Sequence, residues 1–249
     1  MFFLKSIPAN LKYYRRSSWQ LYLLDCLLIS LSLVMSSLIR LEKHNLNQLK
    51  TQLNRFSSET LFTNNHLLKS LIKSNQTLLA NYQLAFWLLI CLTIGITLVV
   101  SYYQFNRYQA DINTFLSANW SIFKINCYYL LSASLLLGLA LLTVITVVFL
   151  FNDFYWEFIE FSNRFLAHQP LRNYQIKPER FKPLFKNHIT DFTSDSLLNP
   201  ILHDNAKQTL TTNTLWHLLP SIGSMLSTIF IAGQLYIYHL KHRQKKEVF

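Results

Sequence analysis

Four long apolar stretches dominate the pattern of hydrophobic and polar positions along the chain. They cover residues 19–39, 84–104, 127–151 and 216–240. A helix of about 20 apolar residues crosses a hydrocarbon core of roughly 30 Å. In lipid, only helices and closed barrels satisfy all of their backbone hydrogen-bonding groups. The alternation of polar and apolar residues that marks a barrel strand is absent from these stretches. The pattern therefore predicts an all-α membrane protein with four transmembrane helices.

The polar segment between the first two spans, residues 40–83, is predicted to form an extracytoplasmic helical hairpin. A turn signal at Thr63-Asn64-Asn65 separates two apolar faces. Each arm would continue a transmembrane helix outward, and the alternative is a single helix lying on the bilayer surface. The first arm has apolar residues at the three-four spacing of an amphipathic helix: Leu46, Leu49, Leu53 and Phe56.

The segment between the last two spans, residues 152–215, is predicted to be a mostly irregular extracytoplasmic loop or cap. Its aromatic start is typical of a membrane interface or of an amphipathic helix lying on the membrane. Proline removes a backbone donor and interrupts helices, and this segment holds most of the prolines of the chain: Pro170, Pro178, Pro183 and Pro200. It also has few apolar residues from which to build a core of its own.

The short segment between the second and third spans, residues 105–126, is the most promising place for a mechanism. Its apolar residues lie at helical spacing, which predicts a short amphipathic helix. Arg107 and Asp111 are four residues apart and can pair, while Asn119 and Ser121 can turn the chain into the third span. An inner helix with an apolar face and charges suits docking of a cytoplasmic partner. The alternative is an interfacial helix without a partner.

The distribution of charge predicts the orientation. The 249-residue chain has a formal net charge of +11. The lead, residues 1–18, and the tail, residues 241–249, are both basic, and four spans put them on one side. Because basic residues flanking spans stay in the cytoplasm, both termini are predicted to be cytoplasmic. The charge also predicts contact with anionic lipid, whereas no nucleic-acid-binding signature is present.

A few single residues within the spans are candidates for particular roles. Asp25 is an acid inside the first span, where a charged side chain costs several kcal/mol unless it is neutralised or paired. It is therefore a candidate for a functional role, and the alternative is an acid at the membrane interface whose polar atoms are satisfied. Gly138 and Gly223 are predicted to allow close helix packing, and Pro220 is predicted to kink the fourth span. Cysteine and histidine spacings indicate no metal site, and no nucleotide-binding or catalytic motif occurs. We therefore expect no cofactor and no enzymatic activity in this chain.

Short stretches of the chain also resemble a known family. They are Ala-Asn-Leu-Lys-Tyr-Tyr-Arg-Arg-Ser-Ser at 9–18, Arg-Tyr-Gln-Ala-Asp-Ile-Asn-Thr-Phe at 107–115, Asn-Trp-Ser at 119–121 and Leu-Leu-Ser-Ala-Ser-Leu-Leu-Leu-Gly at 130–138. Together with the order of the elements, they resemble a permease subunit of the FtsX/MacB type from an ATP-binding-cassette (ABC) transporter. Asp111 stands where that family usually has Glu, and Asn119 where it usually has Gly.

The resemblance implies a multi-pass protein of the bacterial cytoplasmic membrane that works with other subunits. ATP and Mg would be bound by a separate cytoplasmic ABC ATPase, and a second permease subunit, identical or related, would complete a dimer. ATP hydrolysis would drive export or extraction of a peptide or lipid, or mechanotransmission through the outer hairpin. The alternative is a membrane scaffold, or an immunity or sensor protein, without an ATPase. Matched to the family, the ATPase-docking residues would be Arg107, Asp111, Ile112, Phe115, Leu116 and Asn119.

Overall fold

The computed structural model describes residues 14–56, 65–173 and 204–247, and within these ranges the chain is helical, without strands. The all-α prediction is therefore confirmed for the described part. The helices are α1 (Arg15–Phe56), α2 (Asn65–Arg107), α3 (Gln109–Ser117), α4 (Ile122–Leu150), α5 (Asn152–Asn173), α6 (Asp204–Trp216) and α7 (Leu219–Glu247).

Four helical segments are long and apolar enough to cross a membrane, as predicted. They are Arg15–Thr51, Ile72–Arg107, Ile122–Leu150 and Thr209–Arg243. Large apolar side chains point outward from them: Trp87, Leu142 and Leu235 are each about two-thirds exposed. Exposed apolar surface on this scale is rare on soluble monomers but natural where lipid is the solvent. These features indicate a multi-pass membrane protein.

The described chain divides into two compact units. The first contains residues 14–32, 88–150 and 218–247, and the second contains residues 33–56, 65–87, 151–173 and 204–217. Helices α1 and α2 contribute residues to both. The arms predicted for residues 40–83 are helical where described, since α1 continues to Phe56 and α2 begins at Asn65. The predicted turn residues Thr63 and Asn64 lie outside the described residues.

The first unit is held together by close packing of α4 against α7. Gly233 of α7 is buried against Asn126 of α4 and Phe105 of α2. A Cβ atom at this glycine would clash with Asn126 Oδ1 and lie 2.6 Å from Phe105 Cζ. Asn126 is fully buried, and its Nδ2 donates a hydrogen bond to the Phe230 carbonyl oxygen at 2.9 Å. A small residue beside a polar side chain is a common way to fasten helices in lipid.

The second unit has its own core, built around Trp156 of α5. This side chain is fully buried, and its Nε1 donates a hydrogen bond to Thr211 Oγ1 of α6 at 2.9 Å. The other buried apolar members come from α1, α2, α5 and α6: Leu38, Leu41, Leu78, Tyr82, Ile159 and Leu210.

A buried chain of hydrogen bonds crosses the second unit. Tyr82 OH donates to Asn163 Oδ1 at 2.8 Å, and Asn163 Nδ2 donates to Glu42 Oε2 at 3.3 Å. All three residues are at least 95% buried. Three helices, α1, α2 and α5, are joined by this network, so its polar side chains fix how they pack.

One expectation about the last third of the chain needs correction. Residues 152–173 and 204–215 are helical in α5 and α6, not irregular. The reason is that Trp156, Ile159 and Asn163 recur at three-four spacing and bury one face of α5. Of the four prolines on which the irregular loop was predicted, Pro170 lies within α5, and Pro178, Pro183 and Pro200 lie outside the described residues.

The kink predicted in the fourth span falls at an interruption of the helix. The helix stops at Trp216 and α7 starts at Leu219, so Pro220 lies in the first turn of a new helix. The first backbone N–H groups of a helix have no intrahelical partner, and proline is therefore well tolerated there. Pro220 therefore lies at this interruption of the helix, and a bend of the span there stays a prediction.

Candidate functional site

The short helix α3, between α2 and α4, carries four of the six predicted docking residues, Asp111, Ile112, Phe115 and Leu116. Its apolar side is covered by its own chain. Ile112 is fully buried in a cluster with Phe105, Ile125, Tyr129 and Ile237. Phe115 and Leu116 are partly buried against the same cluster. The predicted amphipathic helix is therefore confirmed, and its apolar residues attach it to α2, α4 and α7.

Asp111 is held by a residue of the lead and not by its neighbour on the helix. Tyr14 OH donates a hydrogen bond to Asp111 Oδ2 at 2.8 Å. The ion pairs among the described side chains are Arg164–Glu160 and Lys207–Asp153, so the expected pair between Arg107 and Asp111 is not formed. Asp111 thus ties the start of α1 to α3.

Aromatic rings surround this connection. The ring of Tyr14 packs edge-on against that of Tyr108, with centroids 4.5 Å apart, and Tyr108 stacks on Tyr129 at 5.0 Å. Burial raises the pKa of the Tyr108 phenol, so this ring stays neutral at physiological pH. Contacts of this geometry contribute stability beyond that of apolar burial alone. They make the end of the first unit that carries α3 a packed aromatic layer.

The end of α3 is closed by a tight turn at Asn119. This residue has a φ of 58°, and among the described non-glycine residues it alone has a positive φ. The Asn119 and Trp120 N–H groups donate to the Leu116 and Phe115 carbonyl oxygens, each at 3.0 Å. The Trp120 ring stacks on Phe115, with centroids 4.7 Å apart. These are the two hydrogen bonds and the apolar contact of a Schellman motif.

Ser121 then begins the next helix. Its Oγ accepts a hydrogen bond from the Lys124 N–H at 3.3 Å, which satisfies one of the free donors at the start of α4. The turn into the third span that the sequence predicts at Asn119 and Ser121 is therefore confirmed. Because both ends of α3 are fixed, the helix has a defined orientation on the first unit.

The side of α3 that remains available is polar and small. Its exposed residues, with those at its two ends, are Arg107, Ala110, Thr114, Ser117, Ala118 and Asn119. Of the predicted docking residues, only Arg107 and Asn119 are exposed, whereas Asp111, Ile112, Phe115 and Leu116 face the first unit. Docking of a partner on α3 stays a prediction. The side chains that a partner could contact are the exposed polar and small ones, and the apolar residues at helical spacing are covered by the first unit.

The residues singled out within the spans have varied surroundings. Asp25 is 7% exposed and lies in the part of α1 that belongs to the first unit, without a salt bridge among the described side chains. Added Cβ atoms at Gly138 and Gly223 would have no neighbour within 4 Å. Close packing at these two glycines is therefore not seen among the described residues, and it stays a prediction.

Several residues that build the site were not predicted as site residues. They are Tyr14, Tyr108, Tyr129, Asn126 and Gly233. One usable signal was Asn126, a polar residue directly before the third apolar stretch, because polar residues near spans tend to fasten helices. No signal in the sequence connects Tyr14 to Asp111, which lies 97 residues further along.

Comparison with known proteins yields no relative: no family model, no curated protein and no solved structure matches the chain. The resemblance to FtsX/MacB-type permeases therefore rests on the short stretches quoted above and on the order of the elements.

Proposed function

We propose that this protein is the membrane subunit of an ABC transporter and that a separate cytoplasmic ATPase docks on the exposed side of α3. The observation that supports this proposal best is the attachment of α3. A coupling element has to be fixed to the helices it moves, and α3 is fixed by Ile112, by the Tyr14–Asp111 hydrogen bond and by the turn at Asn119.

A force applied to α3 would reach the spans through packed side chains. Phe105 of α2, Tyr129 of α4 and Ile237 of α7 belong to the same buried cluster as Ile112. Close-packed interiors transmit displacement and compress little. ATP-driven closure of the ATPases would therefore shift α2, α4 and α7 together, which is a two-state element biased by a distant ligand.

The remaining parts of the proposal follow from the resemblance and from the charge pattern. The protein would lie in the bacterial cytoplasmic membrane with both termini in the cytoplasm. It would pair with a second permease subunit, and the ATPase would bind ATP and Mg. The work performed would be export or extraction of a peptide or lipid, or mechanotransmission to the outer side.

The test is co-purification of the ATPase from the native host in mild detergent, with Thr114→Arg as the disrupting variant. Thr77→Arg is the matched control, because Thr77 and Thr114 are both exposed helical threonines whose hydroxyls donate to the carbonyl four residues earlier, at 2.9 and 3.0 Å. We expect an ABC ATPase with the wild-type and Thr77→Arg proteins and at least tenfold less with Thr114→Arg.

Two results would contradict the proposal. If no ATPase accompanies the wild-type protein, a scaffold, immunity or sensor role without an ATPase becomes the better explanation. If an ATPase is retained equally by both variants, the exposed side of α3 is not its docking site.

A further inference from the structure

A groove in the first unit has the features of a lipid-binding site. It has a volume of about 760 Å³ and lies between the start of α1 and the end of α2. This volume is within the range of roughly 300–1,000 Å³ that is usual for small-molecule sites. Its lining residues are Ser17, Gln20, Leu21 and Leu24 from α1, and Val100, Tyr103, Gln104, Asn106 and Arg107 from α2.

The groove is polar at one end and apolar at the other. Along α1 the polar lining residues Ser17 and Gln20 precede Leu21 and Leu24, and along α2 Val100 precedes the polar group that ends in Arg107. Successive membrane-spanning helices run in opposite directions, so the two polar ends coincide and the two apolar ends coincide. This arrangement matches a molecule that has a polar head and a hydrocarbon chain.

The polar end carries an uncompensated positive charge. Arg107 is exposed and forms no ion pair with the described side chains. The nearest acid along the helix, Asp111, accepts its hydrogen bond from Tyr14 instead. No carboxylate is among the described residues that line the groove. A guanidinium without a counter-charge is well suited to a phosphate, to which it can donate two parallel hydrogen bonds.

A hydrogen bond from α7 orients one further donor at this end. Tyr236 OH donates to Asn106 Oδ1 at 3.1 Å. Because this bond uses the carbonyl oxygen of the amide, the Asn106 NH₂ group is left to donate to another acceptor. Gln20 and Gln104 add amide groups at the same end. The head that these groups recognise therefore carries hydrogen-bond acceptors as well as negative charge.

We propose that this groove binds one anionic phospholipid. The phosphate lies at Arg107 with the amides of Asn106 and Gln104, and an acyl chain lies along Leu21, Leu24 and Val100. A second copy of this chain fits the groove less well, because its net charge of +11 opposes Arg107. The proposal uses only the groove and does not rest on the transport function proposed above.

The experiment is native mass spectrometry of the full chain in detergent, with phosphatidylglycerol and phosphatidylcholine of identical acyl chains. Arg107→Gln removes the charge in the groove, and Arg16→Gln is the matched control, since Arg16 is exposed and does not line it. We expect the wild-type protein to retain phosphatidylglycerol about fivefold better than phosphatidylcholine, the effect typical of one basic residue. Arg107→Gln should abolish this preference and Arg16→Gln should keep it.

Leu21→Trp tests the apolar half separately, because the larger ring would fill the groove and lower retention of both lipids. Equal retention of the two lipids by the wild-type protein, or an unchanged preference in Arg107→Gln, would overturn the proposal. So would displacement of phosphatidylglycerol by excess inorganic phosphate, which would indicate a site for free anions. A dimer that is lost in Leu21→Trp would mean that a second copy covers the groove.

Discussion

At the residue scale, Gly233 has the strictest requirement for a small side chain. We expect Gly233→Ala to lower the stability of the protein by about 1–3 kcal/mol, the usual penalty of overpacking, because the methyl group would collide with Asn126 and Phe105. Gly138→Ala is the control, since its Cβ atom would have no neighbour within 4 Å. It should be neutral or stabilising by up to about 1 kcal/mol, since alanine favours helix. Thermal unfolding in detergent measures both, and equal melting temperatures would contradict the packing described.

A second residue-scale prediction concerns Asn119, whose backbone is left-handed with φ 58°. Asn119→Gly should preserve or raise stability, because glycine adopts this conformation without a steric penalty. Asn119→Val should lower stability by about 1–2 kcal/mol, since a β-branched residue is strained there. Chemical denaturation of the two variants in detergent checks the order. The opposite order would show that the Asn119 side chain, and not its backbone conformation, is what matters.

At the scale of elements, one of the contacts that attach α3 is its hydrogen bond to the lead. Tyr14→Phe removes the donor to Asp111, and a hydrogen bond to a charged group is worth about 1.5–3 kcal/mol. We expect α3 to exchange its amide hydrogens about tenfold faster or more, measured by hydrogen–deuterium exchange. Tyr22→Phe is the control, because Tyr22 OH bonds to Thr143 Oγ1 at 2.7 Å, away from α3.

The effect of Tyr14→Phe is predicted to be local. If exchange rises equally in all helices, the hydrogen bond supports the whole first unit and not α3 in particular. If α3 is unchanged, the buried cluster around Ile112 is sufficient to hold the helix.

The packing of helices in the second unit depends on the Tyr82–Asn163–Glu42 chain. Tyr82→Phe leaves the buried Asn163 Oδ1 without its donor, which should lower stability by about 1–3 kcal/mol. Tyr238→Phe is the control, because Tyr238 is 61% exposed and its hydroxyl is available to solvent or lipid headgroups. Thermal unfolding compares the two variants. An equal effect of both substitutions would mean that the buried network contributes nothing specific.

At the scale of the whole molecule, the orientation in the membrane can be tested with cysteine labelling. After Cys26, Cys91 and Cys127 are changed to Ser, single cysteines are introduced by Lys124→Cys and Glu157→Cys, both at exposed positions. Because both termini are predicted to be cytoplasmic, a membrane-impermeant maleimide should label the protein with Glu157→Cys in intact cells. The protein with Lys124→Cys should be labelled only after lysis. The reverse pattern would invert the topology and remove α3 from the cytoplasm.

Much of the architecture could be predicted because it depends on local properties. The four spans follow from the length of apolar runs, and α3 follows from apolar spacing between Tyr108 and Leu116. The turn at Asn119 and Ser121 follows from residue types that tolerate left-handed backbone or cap a helix. The prediction of an irregular loop at 152–215 was wrong for α5. It gave more weight to the number of prolines than to the three-four spacing of Trp156, Ile159 and Asn163, which predicts a helix with one buried face.

The sequence by itself determined that the chain is an all-α membrane protein, since hydrophobic length and the need to satisfy backbone groups in lipid act within each segment. The tertiary structure decided what surrounds each side chain. Ile112 and Phe115 pack against the first unit, and Asp111 accepts a hydrogen bond from Tyr14. Arg107 lines a groove. The close helix contact occurs at Gly233 and not at Gly138. These outcomes depend on residues far apart in the chain, and no local pattern records which distant partner a side chain will meet.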